Sequence, residues 1–191
     1  MIREYVFAGF GGQGVLTAGM ILAHAGAAKG LDVTWIPSYG AEMRGGTANC
    51  TVKIGDEEIP SPFPGMVDVL VAMNEPSLNK FKSAVKAGGH IIINSSIVHS
   101  EVGIPGVNVY KVDMGGIASG LGNERSANLC ALGATMACES GMLDVDDISE
   151  AIRSYLKKAG NNDANVAVMK AGYPAVRSGI KLESTERRSL S

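Results

Sequence analysis

An α/β fold is what this sequence predicts: an open, mainly parallel sheet with helices on both faces and a helical C-terminal third. Three observations carry that reading. As far as Val112, short apolar runs alternate with helix-compatible stretches, the pattern of a parallel sheet built from β-α-β units. The run Gly9-Phe10-Gly11-Gly12-Gln13-Gly14 joins an apolar strand to a long helical stretch, in the manner of a Rossmann-like phosphate turn. From Glu124 onward only helical periods remain.

The first strand is Tyr5-Val6-Phe7-Ala8, and the glycine run leads from it into a helix over Val15 to Lys29. In that setting Gly9 allows a tight turn, Gly11 lets a phosphate approach the backbone, and Gly14 lets the helix pack closely on the strand. The helix N-terminus offers unpaired N–H groups and partial positive charge to an anion. Gly12 and Gln13 complete the loop, with Gln13 either orienting a ligand through its amide or facing water. A turn that only lets helix and strand touch explains the same residues, so both readings stand. A dinucleotide enzyme also places an acid about 20 residues on, at the end of its second strand. Here that strand, Val33-Thr34-Trp35-Ile36, ends in Pro37-Ser38-Tyr39-Gly40, and its carboxylate, Asp32, stands at the opposite end. The phosphate half of the motif is present and the NAD-ribose half is not.

Next comes Gly40-Ala41-Glu42-Met43-Arg44-Gly45-Gly46, a loop without helical or strand period. Arg44 brings a planar charged fork suited to carboxylate or phosphate, and Gly45-Gly46 can form an anion concavity from backbone N–H groups. Glu42 could instead pair with Arg44, and a partner contact explains the loop equally well. Ala48 to Ile54 alternates, and the turn Gly55-Asp56-Glu57 after it predicts a hairpin or an edge excursion. Pro60, Pro62 and Pro64 make an extended loop. Val67 to Met73 is a strand buried on both faces. A helix then starts at Pro76 with Leu78, Phe81 and Val85 as its apolar stripe, ends at Gly88-Gly89, and is followed by strands over His90 to Asn94 and Val107 to Val112.

In the last third, Asn123 reads as an N-cap and Glu124 to Ser140 as a small-residue helix in which Gly133 marks close packing. Asp144 to Lys158 is amphipathic: acids Asp144, Asp146 and Asp147 open it, Lys157 and Lys158 close it, and Ile148, Ile152 and Leu156 face inward. Asn165 to Arg177 is helical up to Tyr173-Pro174. Residues 1–180 are expected to form one domain, and 181–191 a disordered polar tail.

Composition narrows the function classes. At 191 residues, 46% hydrophobic and net charge −2, the chain can bury a sizeable core and lacks the basic run that nucleic acid requires. No apolar run reaches the roughly 18 residues of a membrane span, and the chain begins with a strand rather than a signal peptide, so the expected location is cytoplasmic. Cys50, Cys130 and Cys138 show no framework spacing and no CxxC, so buried thiols are expected, with no iron–sulfur cluster on this chain. His24, His90 and His99 lack ligand spacing, and Ser95-Ser96 and Ser119 lack a nucleophile elbow, so no catalytic or metal-binding residue is assigned.

The ordered set Gly9-Phe10-Gly11-Gly12-Gln13-Gly14, Pro37-Ser38-Tyr39-Gly40, Glu42-Met43-Arg44-Gly45-Gly46, Ile59-Pro60-Ser61-Pro62 and Asn128-Leu129-Cys130-Ala131-Leu132-Gly133 resembles the gamma subunit of 2-oxoacid:ferredoxin oxidoreductases. The likeness runs from about residue 4 to residue 178. Tyr39 and Glu42 are similar to the 2-oxoglutarate and 2-oxoisovalerate branches and depart from the histidine and glutamine of the indolepyruvate branch. The resemblance implies oxidative decarboxylation of a 2-oxoacid, 2-oxoglutarate first, to an acyl-CoA with electrons passed to ferredoxin. It implies alpha and beta partner subunits, with a ferredoxin-like delta subunit in some complexes. Those partners carry the thiamine diphosphate, magnesium and iron–sulfur clusters. It also implies that Gly9, Gly11, Gly12, Gln13, Gly14, Tyr39, Glu42, Arg44, Gly45 and Gly46 help to receive coenzyme A. A purely structural subunit, a gamma-like subunit of a pyruvate or indolepyruvate enzyme, and an independent nucleotide-dependent oxidoreductase are the alternatives.

Overall fold

The structure, a computed structural model, describes residues 1–39, 46–138, 141–156 and 161–178. Among these, β1 (Ile2–Phe10), β2 (Asp32–Tyr39), β3 (Thr47–Gly55), β4 (Val67–Ala72), β5 (Val85–Asn94) and β6 (Asn108–Val112) form one sheet in the order β2-β3-β1-β4-β5-β6. The pairs β1–β4, β4–β5 and β5–β6 are parallel, whereas β3 runs antiparallel to both its neighbours. The α/β expectation holds, with β3 as the exception inside it.

The connection from β1 through α1 (Val15–Ala28) to β2 skips one place in the sheet, and β3 returns to fill it. β1 and β2 are therefore not the adjacent pair of a simple β-α-β unit. The hairpin lies before β3, between β2 and β3, and not at Gly55-Asp56-Glu57 as expected. Burial explains the interior position. Cys50, Val52 and Ile54 are fully buried in the core that holds α1, and Asn49 and Thr51 on the other face are buried too. After β3 the chain is held by Asp32, whose carboxylate accepts the Ile59 N–H at 2.7 Å. The acid that stood at the wrong end for a ribose has a structural role.

Five helices, α1, α3 (Met114–Gly120), α4 (Ala127–Ala137), α5 (Val145–Tyr155) and α6 (Asn162–Ser178), cover one face, and their residues share the larger core with Tyr5, Phe7, Val69 and Val71. The other face carries α2 (Glu75–Phe81) and the segment with Val98, Val102 and Val107 over Val6, Leu70, Ile91 and Ile93. Helices lie on both faces, unequally. α2 is capped by Asn74, whose Oδ1 accepts the Ser77 N–H, and it gives way to a 3-10 turn at Lys82–Ala84. Val85, expected on the helical stripe, opens β5 because it must pair with Val67. Gly88, at φ 81, then takes up the register shift that brings His90 opposite Val69.

In α4, Gly133 does mark close packing. A Cβ there would collide with the Met169 carbonyl of α6, and one at Gly172 would collide with the Cys130 carbonyl of α4. α6 continues through Pro174 to Ser178, past its expected stop. α5 begins with a reciprocal capping box between Asp144 and Asp147 and buries Ile148 and Ile152; Lys157 and Lys158 lie outside the described residues. Asn123 does not cap its own turn with its side chain; its Nδ2 donates instead to Asn165 Oδ1 at 2.8 Å. α3 was not anticipated, since its Gly115, Gly116 and Gly120 leave no apolar period to read.

Cys50, Cys130 and Cys138 are free and buried, and burial pushes each thiol up to about 12. At the amino ends of the parallel strands a charge network forms around the buried acids Glu4 and Asp68. Lys53 Nζ lies 3.4 Å from Glu4 and donates to the Ser61 and Phe63 carbonyls, while Lys86 pairs with Asp68 at 2.5 Å. Among the described residues no helix is long and apolar enough to cross a membrane.

Candidate functional site

The strand order reverses between β1 and β4. From β1 the chain moves toward β2, and after β3 it resumes on the other side at β4. The crevice at the carboxyl ends of such strands is where open α/β sheets place ligands. The glycine loop lies at this crevice, but its glycines divide the work differently from the expectation. Gly9 is still within β1 and is the close-approach position: a Cβ there would lie 2.7 Å from Gln13 Oε1 and 2.9 Å from Met73 Cβ. Gly12 (φ 99) and Gly14 (φ 72) supply the left-handed turn. Gly14 also makes room for α4 rather than for a strand, since its Cβ would sit 2.6 Å from Asn128 Nδ2. That amide donates to the Gly14 carbonyl at 3.1 Å.

Part of the loop's hydrogen-bonding capacity is engaged within the protein. Gly11 N–H donates to the Gly46 carbonyl at 2.9 Å. Gln13 Oε1 accepts from Phe10 N–H at 2.6 Å and from Asn74 Nδ2 at 3.2 Å, while Gln13 Nε2 donates to the Met73 carbonyl at 3.0 Å. Gln13 is thus the clasp between β1 and β4. Tyr39, at the end of β2, is 71% exposed. Glu42, Arg44 and Gly45 lie outside the described residues; of that loop the structure places Gly46 against Gly11.

Two cavities flank the loop. One, of about 480 Å³, is bounded by Gly12, Gln13, Met73, Asn94, Ser96 and Arg125, among others. The second, of about 340 Å³, lies between Gly11, Gly14, Thr17 and Ala48. In the larger cavity Asn94, which ends β5, is 1% exposed, and its Oδ1 accepts the Ser96 N–H at 3.3 Å. Ser96 Oγ donates to Asp113 Oδ1 at 2.5 Å and accepts the Gly115 N–H at 2.8 Å. The Ser96 hydroxyl, then the Gly116 N–H, hold the Asp113 carboxyl below the usual carboxylate range. Glu124 and Arg125 stand exposed at the rim.

Sequence reasoning missed Asn94, Ser96, Asp113 and Arg125 as a group. One signal was available: Ile91-Ile92-Ile93-Asn94 sets a polar side chain at the carboxyl end of a buried strand, where ligands gather. The rest depends on tertiary contact between segments far apart in the chain. Chemically the cavity offers hydrogen-bond donors and a cation. Among the described residues no three His, Cys, Asp or Glu side chains are grouped to hold a metal ion.

Residues 4–175 match the family described as Pyruvate ferredoxin/flavodoxin oxidoreductase. The chain is 40% identical over 177 residues to the Ketoisovalerate oxidoreductase subunit VorA of Methanothermobacter thermautotrophicus, covering 92% of this chain and 37% of that protein. Among solved structures, the gamma subunit of keto/oxoacid ferredoxin oxidoreductase from Geobacter sulfurreducens PCA has a TM-score of 0.78 at 27% identity, over 92% of this chain and 99% of that one. The 2-oxoglutarate:ferredoxin oxidoreductase from Magnetococcus marinus, with 2-oxoglutarate, coenzyme A and succinyl-CoA bound, has a TM-score of 0.82 at 25% identity, over 94% of this chain and 32% of that one. The chain thus spans about a third of the VorA and Magnetococcus proteins and nearly all of the Geobacter subunit.

Proposed function

Because this chain belongs to the pyruvate ferredoxin/flavodoxin oxidoreductase family, we propose that it is a gamma-type, non-autonomous subunit of a cytoplasmic 2-oxoacid:ferredoxin oxidoreductase. The observation that carries the proposal is the pattern of coverage. The same fold forms nearly all of one gamma subunit and about a third of two larger oxidoreductase chains, so it is one part of a larger catalytic unit. The alpha and beta subunits supply thiamine diphosphate, magnesium and iron–sulfur clusters, and ferredoxin takes the electrons. This chain's residues bind and orient rather than make or break bonds. We place coenzyme A at the carboxyl edge of the sheet, along Gly9, Gly11, Gly12, Gln13 and Gly14 and the neighbouring Tyr39, Glu42, Arg44, Gly45 and Gly46. The coenzyme A bound by the Magnetococcus relative supports coenzyme A as the ligand. Its 2-oxoglutarate supports that substrate; the 40% identity to a ketoisovalerate subunit supports the branched 2-oxoacid as the second choice.

A second reading, a structural subunit that touches no coenzyme A, is favoured by one observation: Gly11 and Gln13 are engaged within the protein. One experiment tests both. The tagged chain is purified anaerobically from its host and the eluate assayed for viologen reduction with 2-oxoglutarate, 2-oxoisovalerate and pyruvate, with and without coenzyme A. Co-eluting brown subunits and coenzyme A-dependent reduction are expected. A colourless, inactive chain eluting alone from a host that expresses the partners would refute the subunit reading. An active complex whose KM for coenzyme A ignores every substitution at the carboxyl edge would favour the structural one.

A further inference from the structure

We infer that Gln13 serves this edge by position rather than by contact: with Asn74 it forms an amide wedge between the ends of β1 and β4 that sets the aim of the glycine loop. The functional consequence rests on the reading above that a coenzyme A-type ligand meets this edge; the wedge itself does not.

The last regular rung between the two strands is Met73 N–H to the Ala8 carbonyl at 2.8 Å. In an evenly spaced parallel ladder the next bond would run from Phe10 N–H to the Met73 carbonyl. A side-chain amide is spliced into that place instead. Phe10 N–H donates to Gln13 Oε1 at 2.6 Å, and Gln13 Nε2 donates to the Met73 carbonyl at 3.0 Å. Gln13 bridges the strands as a peptide group would and holds their ends one amide apart. Gly9 makes the room, since a Cβ there would lie 2.7 Å from Gln13 Oε1.

Asn74 fixes the wedge from the α2 side. It is 1% exposed; its Oδ1 accepts the Ser77 N–H at 2.9 Å, and its Nδ2 donates to Gln13 Oε1 at 3.2 Å. Backbone groups decide both amide orientations. Only an oxygen can accept from Phe10 or Ser77 N–H, and only a nitrogen can donate to the Met73 carbonyl. The bond from Asn74 to Gln13 then has the right polarity with no further adjustment. The α2 cap, the end of β4 and the glycine loop are joined in one line of hydrogen bonds.

What the wedge aims is the turn on either side of Gln13. Gly12 and Gly14 are left-handed, at φ 99 and φ 72, and α1 starts at Val15 without a side-chain cap. The N–H groups of Val15, Leu16 and Thr17 have no partner among the described residues, as expected in the first turn of a helix. From Gly9 to Gly14, Gln13 is the only residue whose side chain can hydrogen-bond. The direction of the turn therefore depends on how Gln13 is held, and that depends on Asn74, which is too deeply buried to meet a ligand.

The test is a cycle of Asn74→Ser, Gln13→Leu and the double variant in the anaerobically purified complex. Serine keeps the α2 cap, spends its oxygen there and has no amide to give Gln13. Asn74→Ser should raise the KM for coenzyme A about threefold to tenfold, the worth of one neutral hydrogen bond, with kcat at saturating coenzyme A unchanged. Gln13→Leu should raise KM further, and the double variant should match Gln13→Leu alone, because both changes remove one wedge. A KM that answers to Gln13→Leu and not to Asn74→Ser would make Gln13 a direct ligand contact and overturn the inference. Additive effects, or no change in either variant, would overturn it too. Amide hydrogen exchange of the full chain is the second measurement and needs no activity. Asn74→Ser should speed exchange of the Phe10 N–H by a similar factor, although Asn74 does not bond to Phe10; unchanged exchange would sink the wedge. A complex without coenzyme A-dependent reduction sinks the subunit reading, and the exchange rates still judge the wedge.

Discussion

Replacing Gly133 by alanine should destabilise the protein even though alanine is the better helix former. In an open helix the change would stabilise by about 0.5–1 kcal/mol. At this position the new Cβ would run into the Met169 carbonyl and come within 3.2 Å of the Tyr173 backbone nitrogen. Both obstacles are backbone of α6, so no rotamer change relieves them, and the α4 and α6 axes must separate. Gly172 creates the reciprocal problem against the Cys130 carbonyl, so the two glycines set one interhelical distance. Overpacking of this kind costs about 1–3 kcal/mol. Against the propensity gain, a net loss of roughly 1–2 kcal/mol is expected, or a Tm lower by about 2–8 °C for a chain of this size. Urea unfolding at constant m-value is the assay. The double variant Gly133→Ala with Gly172→Ala should lose less than the sum of the singles, because one separation serves both. A neutral or stabilising Gly133→Ala, or strict additivity, would refute the close-crossing argument.

Three further outcomes are expected. Lys53→Met leaves the Glu4 carboxylate buried without its partner at 3.4 Å and should cost about 3 kcal/mol in urea unfolding; adding Glu4→Gln should recover part of that loss. The thiols ionise at about 12 in the folded protein against 9.0 unfolded. Their contribution to stability is therefore complete below pH 9 and falls as pH rises toward 12, by about 1.4 kcal/mol per pH unit per thiol; a urea series at high pH measures it, and iodoacetamide at pH 8 should leave all three unlabelled until the chain unfolds. Asp144→Ala removes the α5 cap and should cost about 1 kcal/mol at neutral pH. Because the backbone N–H of Asp147 holds the Asp144 carboxyl below its ordinary 3.8, the difference between parent and variant should persist above that pH and vanish as pH falls through the folded value; acid unfolding curves show this.

Much of the fold was legible locally. Val67 to Met73 and His90 to Asn94 read as buried strands because uniform apolar runs suit a parallel interior. Asp144 to Lys158 read as a helix because cap, charge order and period agree. The place of β3 was not legible. Its clean alternation suits an edge as well as a centre, and only the covering of both faces, by α1 over Cys50 and by the chain near Lys53, puts it inside the sheet. Val85 was misread because a helical stripe and a strand start share the same residue types over so short a span.

At the site, the sequence alone determined that a glycine-rich turn follows the first strand, where apolar runs end, and that the ribose acid is missing, since each depends on neighbours within a few residues. It could not say which glycine meets what. Gly9 faces Met73, Gly14 faces Asn128, and Gln13 ties β1 to β4; those partners come from tertiary packing. Nor could it bring Asn94, Ser96 and Arg125 to one cavity, or Asp113 to the Ser96 hydroxyl. Hydrogen-bond donors are named by sequence, but whether a donor is spent or free depends on which distant acceptors the fold delivers to it, and that only the tertiary structure decides.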